Sequence, residues 1–135
     1  ARWNQNAHPE LELLHHCPNG GSRNKAEAMK LKQMGVKAGI PDLCLPVPMG
    51  MYSGLYIEMK YDAGRLEDSQ KKMLKALAAA GHYCTVCYGA EEAIQVLEEY
   101  INLKKIDTGN REDAMSEQNL MIRKNGKVKC IIFKE

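Results

Sequence analysis

The sequence of 135 residues is poor in aromatics, with one Trp, one Phe and six Tyr. That scarcity excludes an extended stacking platform for single-stranded nucleic acid. An excess of one charge is also missing: 19 Lys and Arg face 17 Asp and Glu, a formal +2, which excludes a histone-like or arm-type polycation. No apolar run approaches the ~18–20 residues that a membrane span requires. The first residues (Ala1-Arg2-Trp3-Asn4-Gln5) lack the apolar core of a signal peptide, so a soluble intracellular domain is expected. Five cysteines form an odd set, unlike the even framework of a small secreted fold. Cys84-Thr85-Val86-Cys87 has CxxC spacing, but neither a second CxxC nor a CxxH accompanies it. The run reads as a strand, where positions three apart face opposite ways, so buried reduced thiols are expected rather than zinc or redox chemistry.

What is present is an ordinary globular composition, 44% hydrophobic and 27% charged, in a chain of single-domain length. Leu11 to Cys17 reads as a strand stopped by Pro18-Asn19-Gly20-Gly21. Ser22 caps an expected helix to about Met34, with Ala26, Met29, Leu31 and Met34 on its apolar side and Gly35 as its stop. Ile40 to Val47 is an apolar run, and Tyr52 to Tyr61 reads as a strand. A helix is expected from Glu67 to Ala80 with Met73, Leu74, Leu77 and Ala78 inward, then a strand from His82 to Tyr88. A further amphipathic helix runs from Glu91 to about Lys104, with Ala93, Ile94, Leu97, Tyr100 and Ile101 inward. This order predicts an α/β domain with a mixed central sheet flanked by helices. Residues 106–118 read as a linker, and Asn125-Gly126 between two β-prone runs predicts a C-terminal β-hairpin with a type I′ turn. The expected division is a domain over 1–105 and a linker-plus-hairpin extension over 106–135. The hairpin reads equally as an added sheet edge, a dimer contact or a nucleic-acid contact.

Charged residues interrupt two of the apolar runs. Asp42 breaks Gly39-Ile40-Pro41-Asp42-Leu43-Cys44-Leu45, and Glu58 and Lys60 break Leu55-Tyr56-Ile57-Glu58-Met59-Lys60-Tyr61. Two apart on a strand, Glu58 and Lys60 share a face, and Asp42 joins them if the two strands are neighbours. Such a set is costly to bury unless its members pair with each other or with a metal. One reading is therefore an Asp–Lys–Glu salt-bridge cluster. The other is a nuclease site in which two carboxylates hold a hard divalent cation and the lysine serves a water and the transition state.

The motif context goes further. His16-Cys17-Pro18-Asn19-Gly20-Gly21-Ser22-Arg23, the stretch Leu31 to Asp42, Gly54-Leu55-Tyr56-Ile57-Glu58-Met59-Lys60, Gly64-Arg65-Leu66 with Gln70, and Gly81-His82-Tyr83 together resemble the VRR-NUC family. That family lies within the PD-(D/E)xK nucleases, and the resemblance covers about residues 7–103. It implies a restriction-endonuclease-like core, with Asp42 and Glu58 as metal-binding carboxylates and the Met59 carbonyl as a further ligand. Lys60 becomes the catalytic lysine, and Gln70 a helix residue that orders the site. Asn19, Gly20 and Arg23 become a loop approaching the phosphate backbone, and His16 a residue lining the site. Implied with these are Mg²⁺ or Mn²⁺, a branched or double-stranded DNA substrate, a homodimer resembling Holliday-junction resolvases, and the cytoplasm of a bacterium or phage-infected host. No organic cofactor or membrane is implied.

The ten Lys and Arg among residues 22–75, against six acids, supply a focused basic patch: Arg23, Lys25, Lys32, Arg65, Lys71 and Lys72. Alternatives are cleavage of flaps, single strands or specific sequences, and a catalytically inactive module that binds branched DNA. The last arises because the family's pattern includes a Glu on a helix preceding the first strand. Trp3 is expected near the end of that helix, and Glu10 and Glu12, the nearest acids, read as surface residues.

Overall fold

The computed structural model describes residues 8–18, 25–35, 37–103 and 119–132, with the backbone alone at residues 25, 28, 31, 32, 119 and 130–132. Six strands form one sheet: β1 (His15–His16), β2 (Leu43–Leu45), β3 (Leu55–Lys60), β4 (Tyr83–Tyr88), β5 (Asn119–Lys124) and β6 (Lys127–Ile132). Their order in space repeats their order in the chain. β1, β2 and β3 run antiparallel, β3–β4 and β4–β5 are parallel, and β5–β6 close as an antiparallel hairpin. Two crossover helices follow from the parallel pairs: α2 (Asp68–Ala79) joins β3 to β4, and α3 (Ala90–Ile101) follows β4. The predicted mixed sheet with helices on its faces is therefore the fold, a restriction-endonuclease-like α/β core.

Strand alternation assigns the two cores. Leu55, Ile57 and Cys87 face α3, where Leu11, Leu45, Ala93, Val96, Leu97, Tyr100 and Ile101 complete a buried layer. Cys84 and Val86 face the other way, meeting Leu74 of α2 and Leu120 of β5. The CxxC cysteines thus sit in different cores, and burial pushes Cys84 up to about 12 and Cys87 up to about 11. Reactive thiols need the opposite shift. Among the described residues, no group of three or more His, Cys, Asp or Glu is arranged to hold a metal ion.

Two expectations need correction. Leu11–Cys17 is not one strand: Pro9–Leu13 is a 3₁₀ turn that plugs Leu11 into the core, leaving only His15–His16 extended. Pro9 fixes φ in the helical range and its missing N–H costs nothing at a helix start, so it seeds the turn. The expected apolar side of α1 (Lys25–Gln33) is not buried, because Ala26 and Met34 are exposed and Met29 is 63% exposed. Lysines at positions 25, 30 and 32 leave that helix no continuous apolar stripe. In α3 the expected inward residues Ala93, Leu97, Tyr100 and Ile101 are buried and Ile94 is partly so, with Val96 joining them. The Ser22 cap and the 106–118 linker lie outside the described residues.

The Asn-Gly turn forms as expected, with φ of 52° at Asn125 and 74° at Gly126. The hairpin extends the sheet as its far edge, and two contacts tie it to α3. The Gly126 N–H donates to Glu92 Oε1 at 2.7 Å, and buried Arg123 pairs with Glu99 Oε2 at 2.6 Å while donating to the Tyr83 hydroxyl at 3.3 Å. Among the described residues, no helix is long and apolar enough to cross a membrane.

Candidate active site

The antiparallel register sets Leu43 opposite Ile57, so the next step places Asp42 beside Glu58 at the mouth of the β2–β3 pair. Asp42 stands just before β2, and its Oδ2 accepts the Met59 backbone N–H at 2.8 Å. N–H and C=O of one strand residue point to the same side of the strand. The Lys60 carbonyl accepts from Gly89 N–H on the β4 side, so the Met59 carbonyl is turned to the opposite side, where Asp42 lies. The two carboxylates and this carbonyl converge.

The approach to Asp42 is shaped by Gly39. Its φ is +82°, and a Cβ there would collide with the Ser69 carbonyl in the first turn of α2. Only glycine allows the chain to lie this close to α2 while adopting that backbone conformation. The contact brings the Asp42 segment and the helix carrying Gln70 together.

Glu67 caps α2 in a capping box: its N–H donates to Gln70 Oε1 at 2.9 Å, and its side chain accepts from the Gln70 backbone. Gln70 Nε2, on the other side of the amide, donates to Glu58 Oε1 at 3.2 Å. One amide therefore fixes both the helix start and the buried acid. Glu58 is only 3% exposed, and apart from Asp42 its Oε2 meets no hydrogen-bonding group. Burial, then the Asp42 charge and a hydrogen bond shared with Asp42, pushes Glu58 up to about 8. Lys60 opposes the shift and Glu67 adds to it.

The constellation Asp42, Glu58, Met59, Lys60 and Gln70 is thus assembled in one place. Glu67 belongs with it, and the Glu-x-x-Gln spacing ahead of an apolar stripe is the sequence signal for it. His16 lines a cavity shared with Asp42, as its motif implied. Arg65, Lys71 and Lys72 are exposed just after β3 and at the start of α2. Asn19, Gly20 and Arg23 lie outside the described residues, and of Lys25 and Lys32 only the backbone is described.

Removing the bridging amide tests its double role. Gln70→Ala is expected to lower stability by about 1 kcal/mol through the broken cap. If Glu58 holds a cation, the same change should weaken that binding by about 10–100-fold, as losing a supporting partner of a ligand does. Thermal melts and metal-binding titrations, compared with Gln70→Glu, separate the two effects.

The VRR-NUC domain model matches residues 2–91, about two thirds of the chain. The chain belongs to the VRR-NUC family. A solved structure described as a VRR_NUC domain protein is 37% identical, covers 72% of this chain and 74% of its own, and superposes with a TM-score of 0.61. No curated protein matches the chain. The domain is accordingly of nuclease type, and the constellation around Glu58 lies within the matched residues.

Proposed function

We propose that this VRR-NUC domain is a divalent-metal-dependent endonuclease that hydrolyses DNA phosphodiesters, selects branched DNA and acts as a homodimer. The observation that carries the catalytic reading is Glu58: a buried carboxyl pressed against a second carboxylate, with a lysine two residues on. A purely structural ion-pair cluster would set a cation, not a second carboxylate, against a buried acid. The donor set fits a hard cation. Asp42, Glu58 and the Met59 carbonyl offer oxygen ligands only, and a partly hydrated Mg²⁺ or Mn²⁺ is held by few protein oxygens. When bound, such an ion polarises the phosphoryl oxygen and acidifies a water.

The chain's own groups do the rest. Asp42 and Glu58, with the Met59 carbonyl, would hold that ion where it meets the phosphate. Gln70 holds Glu58 in one orientation. Lys60, on the Glu58 face of β3, orients the attacking water and offsets charge on the phosphate as it builds. Arg65, Lys71 and Lys72 supply backbone contacts that tolerate sequence and weaken with salt. One active site per chain requires pairing of chains for two symmetric nicks in a four-way junction.

The test is cleavage of end-labelled four-way junction, flap, duplex and single-stranded DNA with Mg²⁺ or Mn²⁺. Paired symmetric nicks in the junction are the expected result. Preferred cutting of a flap or single strand would replace the resolvase specificity, and binding without any metal-dependent product would reduce the domain to a DNA-binding module.

A further inference from the structure

On the α3 side of the site, β3 ends in an unusual way. Leu55, Ile57 and Met59 point into the core beneath α3, and Tyr61 continues the same alternation past the end of the sheet. There it is 64% exposed, a large ring left in solvent immediately after Lys60. The ring is carried on a fixed turn rather than a loose loop: Asp62 adopts a φ of 51° and the Gly64 N–H donates to the Tyr61 carbonyl at 2.9 Å.

Tyr61 stands at a cavity of about 560 Å³ whose walls include Ala90, Ala93 and Ile94 of α3, with Asp42 and His16 as its polar members. The size falls within the ~300–1,000 Å³ range of small-molecule sites, and mostly apolar walls with a few polar groups are what such sites have. Asp42 belongs both to this cavity and to the carboxylate pair, so a phosphate drawn to a cation at that pair has a neighbouring nucleoside within reach of the cavity. A nucleobase has apolar faces and a polar edge. The faces match the Tyr61 ring and the α3 side chains, and the edge matches the exposed His16 imidazole.

We propose that the cavity between Tyr61 and α3 receives one unstacked nucleobase next to the scissile phosphate, making Tyr61 a substrate-positioning residue. The inference rests on the DNA-cleaving reading of the site. It explains how a chain too poor in aromatics for a stacking platform selects branched DNA. Base pairs at a branch point open at lower cost than those within a continuous stack, so a one-base pocket favours branches over uniform duplex. Stacking of one base on an aromatic ring is worth ~1–3 kcal/mol, about tenfold or more in affinity.

The test is a thermodynamic cycle in the full chain. Wild-type cleavage first maps the scissile phosphate in a four-way junction. Dissociation constants are then measured in a Lys60→Ala background, with each nucleotide flanking that phosphate made abasic in turn. At one position the abasic substitution is expected to weaken binding about tenfold, Tyr61→Ala by the same factor, and the two together by no more than either alone. Tyr61→Phe should keep the affinity. Ala90→Trp, which fills the cavity from an exposed position, should weaken binding and remove the sensitivity to the abasic site. Independent, multiplying losses at every position, or an unchanged affinity in Tyr61→Ala, would overturn the pocket while wild-type cleavage of the junction leaves the nuclease reading standing. A wild-type chain that neither binds nor cuts branched DNA sinks both.

Discussion

Asp42→Asn is expected to lower metal-dependent DNA cleavage by about 10²–10³-fold, the usual cost of removing one charged group aimed at the reacting centre. The asparagine carbonyl can still accept the Met59 N–H that Asp42 Oδ2 accepts at 2.8 Å, so the β2–β3 mouth keeps its shape. Lys60→Ala should lose a comparable ~10²–10⁴-fold, within the range for a group that positions or deprotonates a water. In both variants, junction affinity measured without cleavage should stay within a few-fold of wild type. That pattern separates a catalytic site from an ion-pair cluster, whose disruption would show in melting temperature before it showed in rate. Quench-flow or single-turnover assays at saturating protein provide the measurement.

Much of this architecture is legible in the residues. The alternation of strand and helix patterns gives the α/β order, and Asn125-Gly126 gives the hairpin because two adjacent positive φ values demand such a pair. Glu58 and Lys60 share a face by strand periodicity alone. Other parts depend on distant contacts that no local pattern encodes. The seating of Asp42 depends on Gly39 fitting against the Ser69 carbonyl, 30 residues away in the chain. A part for Gln70 in ordering the site is legible only through the family resemblance, since a helix glutamine by itself reads as solvent-exposed, and its hydrogen bond to Glu58 is set by the fold. α1 misled because Met29 and Met34 look like core residues, yet the helix has no apolar stripe to bury them. The Leu11–Cys17 stretch misled because its apolar content suited a strand, while Pro9 favoured a turn.

A second large effect concerns pH and follows from Glu58. Its carboxyl belongs near 4.5 in an unperturbed setting, and burial and the Asp42 charge push it up to about 8 in the fold. Between those values the folded protein retains a proton that the unfolded chain has released, so stability falls as pH rises through that window. Below it both states are protonated and the penalty is absent; above about 8 it is fully expressed. Glu58→Gln should therefore leave stability nearly unchanged at pH 4 and raise it by about 5 kcal/mol at pH 9, roughly 15 °C in melting temperature. Mg²⁺ or Mn²⁺ should act in the same direction on the wild type, increasingly so as pH rises because the ion replaces the proton, and should have little effect on the variant. Melting curves from pH 4 to 9 with and without metal give the result. A wild-type curve that is flat in pH, or a variant that responds to metal as the wild type does, would remove Glu58 from the metal site.

The agreement between strand order in space and in sequence bears on how the protein is made. Each strand is laid beside the one that left the ribosome before it, so no early strand waits for a late one to be inserted between it and its neighbour. The β2–β3 pair that holds Asp42 and Glu58 has emerged some seconds before Asn119–Ile132, at ~5–20 residues per second. The β1–β3 side of the sheet is thus the first to be built, and the hairpin arrives last to cover the strand edge left open at β4. Until then that exposed edge is the stretch of nascent chain most open to pairing with a neighbour.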